Sequence, residues 1–155
     1  MVGAEPRRIS KAAAKGHGMR KKWIAAALAV FAALLLTGCF LNIDLADSFD
    51  EKTVIERSKQ FVAMIDRGDY EGCAEWFCDD LKKEADAAAL QELVEQRVKK
   101  PGAFRTFTGE TVSGTSENGR DYAVCILIAE YENVEKVQYN VTFDTDMKVA
   151  GFYCK

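Results

Sequence analysis

Histidine is almost missing from this 155-residue chain: there is one, His17. From Gly18 onward no imidazole occurs. That absence removes His-based general acid–base catalysis, the Ser–His and Cys–His nucleophile pairs, and the commonest metal ligand. Proline is nearly as scarce, with Pro6 and Pro101 alone, so glycines and capping aspartates must punctuate the chain. No two of the five cysteines stand in C-x₂-C spacing, and their intervals do not resemble a zinc ribbon or knuckle. From Cys39 onward basic patches are missing too, beyond Arg97-Val98-Lys99-Lys100, which ends a predicted helix and suits its dipole. The apolar run Trp23–Leu36 is shorter than the roughly 20 residues a helix needs to cross a bilayer core.

What is present begins with an export signal. Arg20, Lys21 and Lys22 form a basic cluster ahead of that apolar run, which closes on small residues, the order of a secretory signal. Leu36-Thr37-Gly38-Cys39 resembles the lipobox of bacterial lipoproteins: a large aliphatic, a small residue, Gly or Ala, then Cys. The resemblance implies cleavage between Gly38 and Cys39 and a lipid such as palmitate on Cys39. The membrane is then a partner, on the extracytoplasmic face of a bacterial cell, held with about 0.8 kcal/mol per buried CH₂. Met19 is placed to be the start, so residues 1–18 read as a start-site misassignment or a leader. The expected organisation is leader and signal over 1–38, a lipidated tether over 39–50, and a folded domain over 51–155.

Cleavage changes the charge. The leader takes seven bases and one acid from the chain's 21 and 24, leaving 14 and 23, a formal charge of −9. Such a domain repels nucleic acid and anionic headgroups. Cys73, Cys78, Cys125 and Cys154 remain as thiols of an exported protein, with three pairings open.

Periodicity of three and four residues carries Val54, Ile55, Phe61, Val62 and Ile65 along one face of a helix over 51–67. Ser48 or Asp50 can cap it, and Gly68 suits the left-handed position past its end. Asp69 starts a short helix over Tyr70–Phe77, a helical turn follows over Asp79–Lys83, and Asp86 caps a helix over Ala87–Lys99 that Pro101-Gly102 stops. The period then becomes two. Strands are expected over Ala103–Val112, Tyr122–Glu132, Val134–Asp144 and Lys148–Cys154, with turns over Ser113–Arg120, at Glu132-Asn133 and at Asp144–Met147. Helices followed by an antiparallel meander make an α+β fold, with the helices packed on the sheet's apolar face and no parallel strand pair. A two-residue turn at Glu132-Asn133 sets Cys125 opposite Asn140. Cys154 then falls near Gln138, level with Leu127, too far from Cys125 for a disulfide. Cys73 and Cys78, flanking one short helix, rank first as a pair.

The order of several motifs carries a resemblance: Phe61, Gly68-Asp69-Tyr70, Trp76-Phe77, Asp80-Leu81-Lys82, Leu90, Gly102-x-Phe104, and Phe143-Asp144 through Lys148-Val149-Ala150-Gly151-Phe152. It is similar to domain of unknown function 3887, within the nuclear transport factor 2-like, cystatin-like superfamily, over about Val54 to Phe152. The resemblance implies a cone: a curved four-stranded antiparallel meander wrapped around helices, with a pocket inside. It implies no activity and no cofactor. Met147 departs from it, standing where glycine is common. If that position needs φ > 0, Met costs about 1 kcal/mol or more.

Candidate pocket residues are Phe61, Trp76 and Tyr139. Aromatic residues at helical spacing more often form core, and a buried Tyr usually just finds a partner for its hydroxyl. Asp66, Asp69, Asp79, Asp80 and Asp86 all lie at helix ends, where capping accounts for them. No carboxylate interrupts an apolar strand face, so no residue is assigned as catalytic or metal-binding. Three function classes follow. One is a lipid-anchored accessory domain that binds a small molecule or protein. Another is a small isomerase or dehydratase using Tyr139 and a carboxylate. The third is a module that self-associates, as a homodimer, through its sheet.

Overall fold

A computed structural model describes residues 44–134 and 136–155. The export segment, the lipobox and the expected lipidation and cleavage residues Gly38 and Cys39 lie outside the described residues.

Helix α1 spans Glu51–Asp66. Asp50 caps it: Oδ1 accepts from the Thr53 backbone N–H at 2.8 Å and from the Thr53 hydroxyl at 2.6 Å. Val54, Phe61, Val62 and Ile65 form its buried stripe, joined by Ser58, whose hydroxyl donates to the Val54 carbonyl at 2.8 Å. Gly68 ends it at φ +73°, a backbone setting that glycine reaches without a Cβ clash. Asp69 caps α2 (Tyr70–Glu75), Cys78 caps α3 (Asp79–Glu84) and Asp86 caps α4 (Ala87–Arg97). Helix α2 stops two residues before the expected Phe77. There the chain turns extended: the Val149 N–H donates to the Trp76 carbonyl and the Cys78 N–H donates to the Val149 carbonyl. This single parallel bridge between Phe77 and Val149 ties the helices to the last strand without forming a parallel strand pair.

The sheet runs β1 (Phe104–Glu117), β2 (Arg120–Tyr131), β3 (Val137–Phe143) and β4 (Val149–Cys154), in that spatial order and antiparallel throughout. Helices on one face of a four-stranded meander, not closed into a barrel, make the α+β arrangement expected from the order of periodicities. Two expectations need correction. Ser113–Glu117 continues β1 and is not a turn, because Asn118 (φ 53°) and Gly119 (φ 76°) make a two-residue hairpin turn by themselves. The register of β2 on β3 is shifted by one residue: Cys125 faces Val141, not Asn140. The link is longer than two residues; the Tyr131 N–H closes onto the Val134 carbonyl, and the Asn133 N–H is drawn to the Pro101 carbonyl. Cys154 pairs with Tyr139 and not with the expected Gln138; Tyr139 faces Leu127, so Cys125 and Cys154 still stay two strands apart. Met147 does take a positive φ, 57°, in the turn before β4.

The inner sheet face packs Cys125, Leu127, Ala129, Tyr139, Val141 and Phe143 against α1. Asn140 and Thr142, on the outer face, are also buried; Asn140 is satisfied by the Gln138 side-chain amide at 2.8 Å. Packing begins before α1. Phe49 is a core residue, Leu45 and Ala46 lie against the core, and the backbone of Asp44 and Leu45 crosses β1 at Gly114.

Candidate functional site

Phe61, Trp76 and Tyr139 are brought together, but as packing. The Phe61 ring sits 6.2 Å from Trp76, 6.5 Å from Phe77 and, edge-on, 5.5 Å from Phe152. Tyr139 stacks on Phe152 at 6.2 Å. Phe61 is 0% and Tyr139 1% exposed, so rings occupy the space where a pocket was expected. Trp76 is half-buried, with the Arg57 guanidinium 4.2 Å over its ring.

The polar feature of this interior is a chain of three groups. The Tyr139 hydroxyl lies 2.8 Å from that of Tyr131, and Tyr131 donates to Asp66 Oδ1 at 2.7 Å. A phenol has one proton to give. Since Tyr131 gives its proton to Asp66, Tyr139 donates to the Tyr131 oxygen. Asp66 stands at the rim with its surface in solvent and Oδ1 turned inward. Burial of that carboxyl raises its pKa above the ordinary 3.8, a rise only partly opposed by the Tyr131 hydrogen bond. Burial also raises both phenols, so Tyr131 and Tyr139 stay protonated at neutral pH. A phenol held this way could act as an acid only if a substrate reached it, and neither hydroxyl has an open face.

A surface groove of about 490 Å³ lies elsewhere, at the β1–β2 end of the sheet, lined by Thr108, Ile128, Glu130 and Lys136. Glu130 there pairs with Arg105 at 3.4 Å. Among the described residues no three His, Cys, Asp or Glu side chains converge as a metal-holding group.

The profile of one family, described as a protein of unknown function (DUF3887), matches residues 58–152. The chain belongs to the DUF3887 family. The NMR structure of a protein from Ruminococcus gnavus ATCC 29149 is similar in fold, with a TM-score of 0.61 at 25% identity, covering 70% of this chain and 94% of that one. No curated protein matches.

The matched span of this DUF3887 chain holds Phe61, Asp66, Trp76, Tyr131 and Tyr139 and leaves the Asp44–Phe49 segment outside. It also holds Cys73, Cys78 and Cys125, with Cys154 two residues beyond it; all four described cysteines are free thiols. The expected Cys73–Cys78 bridge is not formed, because the two side chains have separate tasks. Cys73 is fully buried, with Sγ 3.9 Å from the Phe61 carbonyl, whereas Cys78 Sγ accepts from the Leu81 N–H at 3.4 Å to start α3. Burial pushes Cys73 and Cys154 up to about 12, so both thiols are inert at neutral pH. Sequence reasoning missed Asp66 and Tyr131 as partners of Tyr139. In the sequence Asp66 is one more helix-end aspartate, yet it closes α1 at the C-terminus, where the dipole disfavours a negative charge. An acid at the wrong end of a helix was the available signal.

Proposed function

We propose that this DUF3887 chain is a lipid-anchored extracytoplasmic accessory domain of nuclear transport factor 2-like type, binding a small molecule or protein at its surface without turning it over. The observation that carries the reading is the filled interior: Phe152 stacks on Tyr139 and Phe61 packs on Phe152 and Phe77, while the Tyr139 hydroxyl is committed to Tyr131. The lipid anchor rests on Leu36-Thr37-Gly38-Cys39. Cys39→Ser should leave an unprocessed or unlipidated protein that no longer partitions with membranes as the parent does. Continued cleavage before residue 39 with unchanged partition would end the lipoprotein reading. Native mass spectrometry of the mature chain should show a retained small molecule, a protein partner or a second copy.

One observation favours a second reading. The Asp66–Tyr131–Tyr139 chain supplies the carboxylate that an isomerase or dehydratase would pair with Tyr139. Isomerisation or dehydration of small carbonyl compounds by the purified chain, lost by about 10²- to 10⁴-fold in folded Tyr139→Phe, would make the protein an enzyme.

A further inference from the structure

Gly114 is where the folded domain and its anchor meet. It lies within β1, buried, opposite Ala123 on the inner face. A Cβ there would run into the Asp44 carbonyl oxygen, with the Asp44 carbonyl carbon at 3.1 Å and Leu45 Cα at 3.2 Å. Glycine inside a strand marks close approach of another backbone. The segment thus seated is held by packing, with Leu45 and Ala46 against the core and Phe49 8% exposed, and the Phe49 N–H closes a turn within it onto the Ala46 carbonyl at 2.9 Å. Asp44–Phe49 is a strap fixed to the domain, not slack chain.

The strap sits at one end of an elongated body. From Gly114, β1 continues a few residues to the Asn118-Gly119 turn in one direction, and in the other to Phe104, roughly 30 Å away at about 3.3 Å per residue. Helix α1 leaves the strap and spans about 24 Å over its 16 residues at about 1.5 Å each. It delivers Asp66 to Tyr131, at the far end of β2.

We propose that this strap orients the domain on the membrane, with the Asn118-Gly119 hairpin end beside the lipid surface and the Asp66–Tyr131 and Lys99–Phe104 end held away from it. The inference rests on lipidation of Cys39. From Cys39 to Asp44 the chain has five residue steps, at most about 18 Å when fully extended. That reach is shorter than the body, so the strapped end stays near the bilayer while the strap is seated. Asp44, Asp47, Asp50 and Glu51 crowd this end with acid, so the orientation comes from covalent reach and packing rather than attraction to anionic lipid. The groove at Thr108, Ile128, Glu130 and Lys136 belongs to the outward half and faces the surrounding space.

The test uses the full-chain lipoprotein in phosphatidylcholine vesicles doped with a dansyl-headgroup lipid. A tryptophan is placed at exposed Glu117 beside the hairpin, or at exposed Lys99 at the far end, and energy transfer to the dansyl group is read against the parent protein. Transfer from position 117 should exceed that from position 99 severalfold. Gly114→Val, which unseats the strap, should erase the difference. A twelve-residue Gly/Ser insertion between Asn42 and Ile43 adds roughly 19 Å of root-mean-square reach without touching the fold, and should shrink it as well. Equal transfer from the two positions in a protein that does partition with the vesicles overturns the orientation and leaves the lipid anchor standing. Failure of the parent to partition overturns both. A difference that survives the insertion unchanged overturns the role of the strap.

Discussion

The two ends of α1 carry aspartates in opposite settings. Asp50 stands before the N-terminus, where the helix dipole and two donors from Thr53 favour its negative charge, and its pKa is held below the ordinary value. Asp66 closes the C-terminus, where the dipole opposes it, and burial raises its pKa. The first serves the helix. The second helps the helix very little and instead satisfies a buried phenol 65 residues away. Identical side chains sixteen positions apart therefore answer to different forces, local at one end and tertiary at the other.

Substitutions along α1 can break or sharpen that contrast. The largest effect belongs between the ends: Phe61→Ala removes a fully buried ring that touches Trp76, Phe77 and Phe152, and should cost about 3–5 kcal/mol in denaturant unfolding. It is the packing reference for both ends. Next comes Tyr131→Phe, which strips the middle of the polar chain and leaves the buried Tyr139 hydroxyl without its acceptor. A loss of about 1–3 kcal/mol is expected. A loss no larger than that of Tyr139→Phe would mean that the Tyr139 hydroxyl finds another partner. Tyr139→Phe itself should cost about 0.5–1.5 kcal/mol, because Tyr131 keeps its bond to Asp66.

The smallest effect is a slope. A raised folded-state pKa means that the folded protein binds the Asp66 proton more tightly than the unfolded chain does. Between the unfolded value near 3.8 and the raised folded one, this group therefore makes stability fall as pH rises; above the folded pKa the whole penalty is present, and below 3.8 it vanishes. Asp50 acts in the reverse sense: its contribution is full above 3.8 and is lost as pH falls through its lowered folded pKa. Asp66→Asn should remove the first component, so that stability measured from pH 7 down to pH 4 declines more steeply with acid than in the parent. A profile unchanged by Asp66→Asn would show that the carboxyl is not coupled to folding, and the contrast between the two ends would fail.

Much of the fold is legible in the sequence. Asp50, Asp69 and Asp86 are followed by helices, and Gly68 and Asn118-Gly119 take the positive φ angles their residue types favour. Val137, Tyr139, Val141 and Phe143 alternate onto one buried face. The candidate site was less legible in the sequence. Phe61, Trp76 and Tyr139 do converge, but whether three aromatic rings line a void or fill it depends on what packs around them, here Phe152 between Phe61 and Tyr139, and Phe77 on Phe61. Cys73 and Cys78 are near in sequence yet serve different neighbours, so spacing could not pair them.

Helix caps, the Gly68 and Asn118-Gly119 turns and strand alternation were determined by the sequence itself, because each depends on a few adjacent residues: a side-chain oxygen within reach of an N–H three positions on, a missing Cβ, a period of two. Other features were decided only by the tertiary structure. One residue added to the link after Tyr131 moved Cys125 from Asn140 to Val141. The Asp66–Tyr131–Tyr139 chain and the seat of Asp44 on Gly114 each join groups far apart along the chain. Such meetings depend on strand register and on how the helices settle over the sheet, and side-chain identity at either partner carries no record of the distance between them.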